Sequence, residues 1–120
     1  APLLYGATGK ALLAHLPEAE QAAIVKTLPR GAPFNQTELK AELVRVRKQG
    51  YAITGGERVP GSLAISVVLF DINDRGTYCL TLTGPEARMK DNHEDNLACM
   101  LQAQRDISSK MGSSRFSSAA

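Results

Sequence analysis

Hydroxyl side chains recur at alternate positions in the middle of the chain, among them Ser66, Thr81 and Thr83. Successive side chains of a β-strand point to opposite faces, so Thr81 and Thr83 would share one face of a strand. Hydroxyls gathered on one face can form the floor of a pocket and donate hydrogen bonds to a ligand. The other interpretation is a solvent-exposed strand face, the commonest fate of a polar face. The pattern alone leaves both interpretations open.

Two β-strands and a tight turn would have to position these hydroxyls. Residues 62–71 and 77–83 are rich in β-branched and apolar residues, which is typical of strands. Residues 73–76 between them are turn formers, and Gly76 is free to adopt a positive φ. A shorter strand is predicted at residues 51–54. The rest of the chain is therefore expected to be organised around a central β-hairpin.

The side-chain pattern favours one register for this hairpin. If Asp71 pairs with Gly76, the large apolar residues share one face and Ser66 lies opposite Thr81. The register that is shifted by one residue would place large residues opposite small polar ones, so it is disfavoured. The expected hydroxyl face carries Ala64, Thr81 and Thr83, and the expected apolar face carries Ile65, Val67, Leu80 and Leu82.

Cysteine and histidine are the residues that would support nucleophilic catalysis, and the chain has 2 of each. A catalytic nucleophile needs a base within reach and a third group that orients the base. Cys79 and Cys99 lie in no such motif and lack metal-ligand spacing, so we interpret both as reduced core thiols and predict no catalytic residue. A small hydrolase that uses Cys79 or His15 is the enzyme alternative.

Two further stretches resemble ligand motifs but lack the residues that the chemistry needs. Gly6 and Gly9 are separated by two residues, whereas the glycines of a phosphate-binding loop are separated by four. Asp91, His93 and Asp95 are spaced like calcium ligands, but the glycine and the later glutamate of a calcium loop are absent. We therefore predict no metal site and no cofactor.

The remaining segments predict helices. The first helix starts near Thr8, where free backbone N–H groups and the positive end of the helix dipole can receive a carboxylate. An ordinary glycine-started helix is the other interpretation of this segment. A second helix is predicted at residues 17–28. A third begins near Asn35 or Thr37 and has a buried stripe of Leu39, Leu43 and Val46. The last begins around Asp91, which with Glu94 resembles a capping box.

Length and composition indicate a single globular domain of 120 residues, of which 43% are hydrophobic and 22% are charged. The net charge of +2 is too small to indicate binding to nucleic acid or to a membrane. Arg45, Arg47 and Lys48 are interpreted as charges that complement a helix dipole. No apolar run reaches transmembrane length and no signal peptide is visible, so we expect a cytoplasmic protein without a membrane partner. A first residue other than Met indicates a fragment, an excised domain or a processed chain.

Four blocks of residues, in this order and spacing, resemble the effector-binding domain of the IclR family of bacterial transcription regulators. They are LLYGATGKALLAHLPE at 3–18; residues 39–43 with Val46, Arg47 and 50–52; Pro60, Gly61, Phe70 and Asp71; and LTGP at 82–85 with Arg88. Ile107, Ser108 and Gly112 fit the closing helix of the family. The resemblance implies an α+β fold of the GAF-like type, in which a curved antiparallel sheet packs against helices.

The resemblance also implies an effector pocket. Its carboxylate-receiving backbone amides fall on Ala7 and Thr8, a polar position falls on Thr54, a strand position on Ala64, and two hydroxyl positions on Thr81 and Thr83. Some family members have an acidic residue where this chain has Thr54, and Ala64 is small and apolar. The pocket is therefore expected to accept a different or bulkier acid.

According to the resemblance, the chain is the ligand-sensing part of a regulator. Residues 1–112 would form the effector-binding domain without its first strands, which leaves a sheet edge for upstream residues or a partner, and residues 113–120 would form a low-complexity tail. The implied ligand is a small organic acid, and the implied assembly is a homo-oligomer, either a dimer or a tetramer. DNA would be bound only by a winged helix-turn-helix domain outside this chain. A dimerisation module with a vestigial pocket is the alternative to a sensor.

Overall fold

The chain folds into helices on either side of a β-meander in the part that the computed structural model describes, residues 7–26, 36–55 and 61–116. The elements are α1 (Ala7–Ala14), α2 (Glu18–Lys26), α3 (Gln36–Gln49), β1 (Tyr51–Gly55), β2 (Ser62–Phe70), β3 (Gly76–Pro85), α4 (Glu86–Asp91) and α5 (His93–Lys110). The predicted end of the second helix at Leu28 lies outside the described residues. Gly50 ends α3 with a positive φ of 92°, as expected for a helix stop.

Strands β1, β2 and β3 form an antiparallel sheet in that order. The predicted register is confirmed along β2 as far as Leu69, with Ser66 opposite Thr81 and Ala64 opposite Thr83. The pairing then shifts by one residue, and Phe70 rather than Asp71 pairs with Gly76. The shift lies at the end of the hairpin, so the side-chain faces of the long paired region keep the predicted arrangement.

The turn between β2 and β3 is closed by the side chain of Asp71. Its Oδ1 accepts hydrogen bonds from the backbone N–H groups of Asn73 (2.8 Å) and Arg75 (3.1 Å). The positive φ falls on Asp74, at 57°, and not on Gly76 as predicted. Gly76 is needed for space instead, because a Cβ added there would lie 2.5 Å from a side chain of β2.

The apolar face of the sheet is covered by α4 and α5. Ile65 and Val67 of β2 are fully buried there and pack in one cluster with Met89 and Met100. The half-buried members of this cluster include Leu63, Leu80, Leu82, Leu97 and Leu101. The predicted apolar face is therefore confirmed, since Ile65, Val67, Leu80 and Leu82 share one cluster.

The opposite face of the sheet is covered at one end by α1 and α3. Val68 and Phe70 pack there in a second cluster. Its helical members are Ala11, Leu13 and Ala14 of α1 and the predicted α3 stripe of Leu39, Leu43 and Val46, which is confirmed. The hydroxyl face is thus dry near Phe70, and its small residues lie toward the start of β2.

The start of the long C-terminal helix differs from the prediction. Asp91 is the last residue of α4, and α5 begins at His93 after Asn92, which makes no side-chain cap hydrogen bond. The predicted capping box of Asp91 and Glu94 is therefore wrong. Pro85 ends β3 and directly precedes α4, so the helical segment begins earlier than the sequence pattern indicated.

The two cysteines are free thiols in different surroundings. Cys79 is half-buried on β3 and packs against the cluster that contains Phe70. Cys99 is exposed on α5, so its prediction as a core thiol is wrong. It precedes the buried Met100 and lies off the apolar stripe of the helix. No helix in the described part of the chain is long and apolar enough to cross a membrane.

The residues that follow α5 return to the hairpin turn, where Asp74 binds them. The carboxylate of Asp74 accepts hydrogen bonds from Ser113 Oγ (2.6 Å), from the backbone N–H of Ser114 (3.0 Å) and from Ser114 Oγ (3.0 Å). These hydrogen bonds lower the pKa of Asp74 from its ordinary value of 3.8, and the hydrogen bond from Ser113 has the largest effect. We call this contact the Asp74 clasp.

The Asp74 clasp should make stability depend on pH in the acid range. The pKa of Asp74 is lower in the folded than in the unfolded chain. The ionised carboxylate therefore adds to the free energy of unfolding above pH 3.8, and this contribution is lost as the pH falls through the lowered pKa. Asp74→Asn removes the titration, and asparagine tolerates the positive φ. The difference in urea midpoint between wild type and Asp74→Asn should be largest near neutral pH and should shrink on acidification below 3.8. A difference that is constant over this range would contradict the prediction.

Candidate functional site

Short side chains line up across the three strands on the face that α1 and α3 share. One row consists of Thr54, Ala64 and Thr83, which are directly paired across β1, β2 and β3. The adjacent row consists of Ala52, Ser66 and Thr81. Neighbouring strands are about 4.8 Å apart, so each row spans about 10 Å. We call these six positions the hydroxyl rows.

The structure brings together four of the six predicted site residues in the hydroxyl rows: Thr54, Ala64, Thr81 and Thr83. Thr54 is buried, Ala64 is half-buried, and the two threonines of β3 are exposed. The rows are therefore closed on the β1 side and open to solvent at β3. A purely solvent-exposed polar face does not account for them, because Thr54 and Ser66 are buried.

Ser66 is a polar member of the rows that is absent from the set of site residues predicted from the sequence. It is fully buried, and its Oγ lies 2.6 Å from Thr81 Oγ1, where either atom can be the donor. This hydrogen bond fixes the rotamers of both hydroxyls. The register alone would have identified Ser66, since it lies opposite Thr81 in the predicted pairing.

The two ends of this sheet face differ in how they fill space. Near the end of β2, Val68 and Phe70 occupy the volume beneath α1 and α3. At the other end the hydroxyl rows offer only alanine, serine and threonine, whose side chains reach little beyond the sheet. Ala52 and Ser66 are fully buried here, and Ala52 packs in the same cluster as Val68, so the rows are accessible mainly at Thr81 and Thr83 of β3. A few convergent polar groups can orient a ligand there.

Ala7 and Thr8 are the first two residues of α1, which packs against all three strands. The first backbone N–H groups of a helix have no acceptor within the helix, and they lie at the positive end of its dipole. The first turn of α1 carries no acidic side chain that would compete for these donors. The surroundings of the Ala7 and Thr8 side chains lie outside the described part of the structure, so their role stays a prediction.

A salt bridge fixes α1 to α3. Lys10 is buried, and its Nζ lies 3.3 Å from Glu42 Oε1. The pair is partly screened, because the Glu42 side chain remains 32% exposed. It holds the first helix over the sheet independently of the apolar contacts of Ala11, Leu13 and Ala14.

His15, which was considered for catalysis, packs against the core, and the candidate metal ligands do not form a group in the described part of the chain. The ring of His15 packs edge-on against Phe70, with 5.4 Å between centroids, and its Nδ1 lies 2.9 Å from the carbonyl oxygen of Ala11. Burial lowers the pKa of His15, despite the hydrogen bond to Ala11. In the described ranges, no three histidine, cysteine or carboxylate side chains are grouped so that they could hold a metal ion.

Comparison with known proteins identifies the family. A sequence profile described as "Bacterial transcriptional regulator IclR C-terminal" matches residues 1–109. The chain belongs to this family. As an IclR C-terminal domain, it is the regulatory, effector-binding part of a transcription regulator.

Curated relatives of this IclR domain are transcription regulators by name. BhcR of Paracoccus denitrificans is 30% identical over 106 residues, which is 83% of this chain and 38% of the relative. RhmR of Escherichia coli is 30% identical over 110 residues, which is 87% of this chain and 42% of the relative. The chain thus spans about two fifths of the length of these relatives. Their names support a non-enzymatic regulator, and they give no support to the hydrolase alternative.

Solved structures of IclR proteins share the fold. The IclR of Thermotoga maritima superimposes with a TM-score of 0.83 at 27% identity, over 94% of this chain and 48% of that one. The C-terminal domain of E. coli KdgR superimposes with a TM-score of 0.80 at 28% identity, over 93% of this chain and 72% of that one. The α+β architecture of the GAF-like type is therefore confirmed.

Proposed function

We propose that this IclR domain senses a small carboxylic acid that binds between the start of α1 and the hydroxyl rows. The observation that carries the proposal is the direct pairing of Thr54, Ala64 and Thr83 beside the hydrogen-bonded Ser66–Thr81 pair. The free N–H groups of Ala7 and Thr8 would receive the carboxylate. The hydroxyls of the rows would bind the polar groups at the other end of the acid.

Each part of this site suits a different part of an acid ligand. A carboxylate accepts hydrogen bonds only, so backbone N–H donors at a helix start match it in both charge and geometry. Hydroxyls donate and accept, so Thr81 and Thr83 can bind either a hydroxyl or a keto group. Ala64, which lies between Thr54 and Thr83 in its row, would leave space for carbon atoms. The chain would therefore favour an acid that carries a further oxygen some distance from its carboxylate.

Two substitutions should weaken acid binding to different degrees. Thr8→Pro removes one backbone N–H, and proline is accepted in the first turn of a helix, so the fold should persist. A hydrogen bond to a charged group contributes about 1.5–3 kcal/mol, so affinity should fall by roughly ten- to a hundredfold. Thr81→Val removes a neutral hydroxyl and should reduce affinity by about fivefold, since a neutral hydrogen bond contributes about 1 kcal/mol.

The experiment begins with a thermal-shift screen of small carboxylic acids and continues with calorimetry on the acids that stabilise the chain. Thr77→Val is the matched control, since Thr77 is an exposed threonine on β3 outside the hydroxyl rows. Thr8→Pro should show the largest loss, Thr81→Val a smaller one, and Thr77→Val none. Wild-type affinity in both site variants, with intact circular dichroism, would place the ligand elsewhere. A chain that no acid stabilises would favour the dimerisation module with a vestigial pocket.

In the whole protein, we propose that residues 1–112 act as this sensor in a cytoplasmic homo-oligomer, either a dimer or a tetramer. Residues 113–116, the start of the tail predicted at 113–120, would belong to the sensor, because they contact Asp74 and Phe70. DNA would be bound by a winged helix-turn-helix domain outside the chain, and upstream strands of the same protein would complete the sheet. The chain covers 38% and 42% of two curated relatives and 72% of the KdgR C-terminal domain. This partial coverage supports further segments outside the chain. Acid binding would then shift the population of the DNA-binding form.

A further inference from the structure

A second concave site lies at the other end of β2 from the hydroxyl rows. The cleft has a volume of about 240 Å³ and lies between the end of α3, the middle of α5 and the residues after α5. Phe70 and His15 are among its lining residues. Phe70 and Ala64 are six positions apart on β2, which corresponds to about 20 Å along the strand. We call this space the Phe70 cleft.

Positive side chains from three parts of the chain line the Phe70 cleft. Arg47 and Lys48 come from α3, Arg105 comes from α5, and Arg115 comes from the segment after α5. No aspartate or glutamate is among the lining residues. Within the described ranges, none of these four side chains forms an ion pair with a carboxylate.

Helix-dipole complementation explains only part of this charge. Arg47 and Lys48 lie in the last turn of α3, where cations are favourable next to the free carbonyl groups. Arg105 lies in the interior of α5, and Arg115 follows that helix, so neither complements the end of α3. Cations that three elements bring to one cleft without a carboxylate repel one another, and a bound anion would relieve that repulsion.

Arg115 is held at the cleft before any ligand binds. Its guanidinium carbon lies 4.3 Å from the centroid of the Phe70 ring, a cation–π contact. Its backbone N–H donates to Ser113 Oγ (3.1 Å), and Ser113 Oγ donates in turn to Asp74 Oδ1 (2.6 Å). The Asp74 clasp thus positions Arg115, and such pre-organisation reduces the entropy that binding must overcome.

His15 adds a hydrogen-bond acceptor to the wall of the cleft when its ring is neutral. Its Nδ1 donates to the Ala11 carbonyl oxygen at 2.9 Å, so Nε2 of the neutral ring can accept a hydrogen bond from a ligand hydroxyl. Leu101 and Phe116 supply apolar surface beside these polar groups. The cleft can therefore bind a charged group together with a small organic portion.

We propose that the Phe70 cleft is a second ligand site, which binds phosphate or a small phosphate ester through Arg47, Arg105 and Arg115. A phosphate group presents several charged oxygens around one centre, so guanidinium groups from different elements can bind it at once. A single carboxylate has two oxygens, which one arginine can satisfy. The number of arginines at the cleft thus favours a phosphate over the carboxylic acid proposed for the hydroxyl rows.

The test titrates the 120-residue chain with inorganic phosphate and with a simple aryl phosphate at constant ionic strength. Arg47→Gln and Arg105→Gln should each weaken binding by at least about fivefold, since each removes a charged donor. Arg45→Gln is the matched control, because Arg45 is exposed on the same helix as Arg47 and does not line the cleft. It changes the net charge equally and should leave affinity unchanged. An equal loss with Arg45→Gln, or no binding at millimolar phosphate, would overturn the proposal.

Two further measurements separate a built site from general attraction to a positive surface. Asp74→Gly keeps the positive φ accessible, raises the net charge by one and abolishes the Asp74 clasp. General attraction predicts tighter phosphate binding to this variant, whereas loss of the Arg115 position predicts weaker binding. In proton NMR, phosphate should shift the ring signals of His15 and leave those of His93 unchanged. Tighter binding to Asp74→Gly, or equal shifts at both histidines, would contradict the proposal.

The second site is independent of the proposed acid sensor. Thr81→Val should leave phosphate affinity unchanged, and Arg47→Gln should leave acid affinity unchanged. Loss of both affinities in one of these variants would show that a single site binds both ligands.

Discussion

Replacing Phe70 with alanine should lower the free energy of unfolding by about 3–5 kcal/mol, the usual range for a buried aromatic side chain. Phe70 is 2% exposed and lies at the end of β2 where α1, α5 and the segment after α5 meet. Its ring contacts the rings of His15 and Phe116, with centroids 5.4 and 5.8 Å away, and the guanidinium of Arg115. The loss should appear as a lower urea midpoint in circular dichroism. A single domain has about 5–15 kcal/mol in total, so much of the stability depends on this residue.

Phe70→Leu is the control that separates volume from ring contacts. Leucine keeps most of the buried apolar volume but loses the edge-on aromatic contacts and the cation–π contact. Each of these contacts contributes about 0.5–1.5 kcal/mol. We expect Phe70→Leu to be destabilised by about 1–2 kcal/mol and to bind phosphate more weakly through the release of Arg115. If Phe70→Ala were about as stable as the wild type, neither α1 nor the segment after α5 would depend on this ring.

A backbone contact of Phe70 links it to α5 as well. Its N–H donates to Ser108 Oγ at 3.0 Å, and Gln104 Nε2 donates to the carbonyl oxygen of Val68 at 2.8 Å. Both bonds are buried and lie at the end of β2, beside the register shift. The polar residues Gln104 and Ser108 are thus buried because they satisfy backbone groups at this end of the sheet.

The arrangement of the sheet could be predicted from the sequence, whereas most contacts around the sheet could not. Alternation of side-chain size determined the register of β2 and β3, because a shift by one residue would have exchanged the faces of the whole strand. The same register placed Ala64, Thr81 and Thr83 together in the hydroxyl rows. The resemblance supplied Thr54, whose pairing with Ala64 the hairpin pattern could not reveal.

The Asp74 clasp and the Phe70 cleft were not predictable in this way. Asp74 and Ser113 are 39 positions apart, and no periodicity relates a turn residue to the end of a distant helix. Gly76 was predicted to supply the positive φ, but Asp74 takes it, since a short polar side chain that binds nearby groups also tolerates that region. Arg115 lies in a serine-rich segment whose composition resembles a tail, and only its contact with Phe70 reveals a role.

Leu43 and Val44 are neighbours on α3, and replacing each with alanine should have very different effects on the free energy of unfolding. Leu43 is 1% exposed and packs in the cluster that contains Phe70, whereas Val44 is 65% exposed. Leu43→Ala should lower the free energy of unfolding by about 2–5 kcal/mol, through lost apolar burial and the cavity that remains. Val44→Ala should change it by less than about 0.5 kcal/mol, and in the stabilising direction, because alanine has the higher helix propensity.

Urea denaturation of both variants at one pH measures this contrast. The slope of unfolding free energy against urea should be the same in wild type and both variants, since neither change alters the surface that unfolding exposes by much. Similar losses in the two variants would mean that α3 is rotated from the orientation described. The Lys10–Glu42 salt bridge depends on that orientation, because it joins α1 to the residue that precedes Leu43. A rotated α3 would therefore also leave α1 without its fixed place above the hydroxyl rows, and the acid site would lose its upper wall.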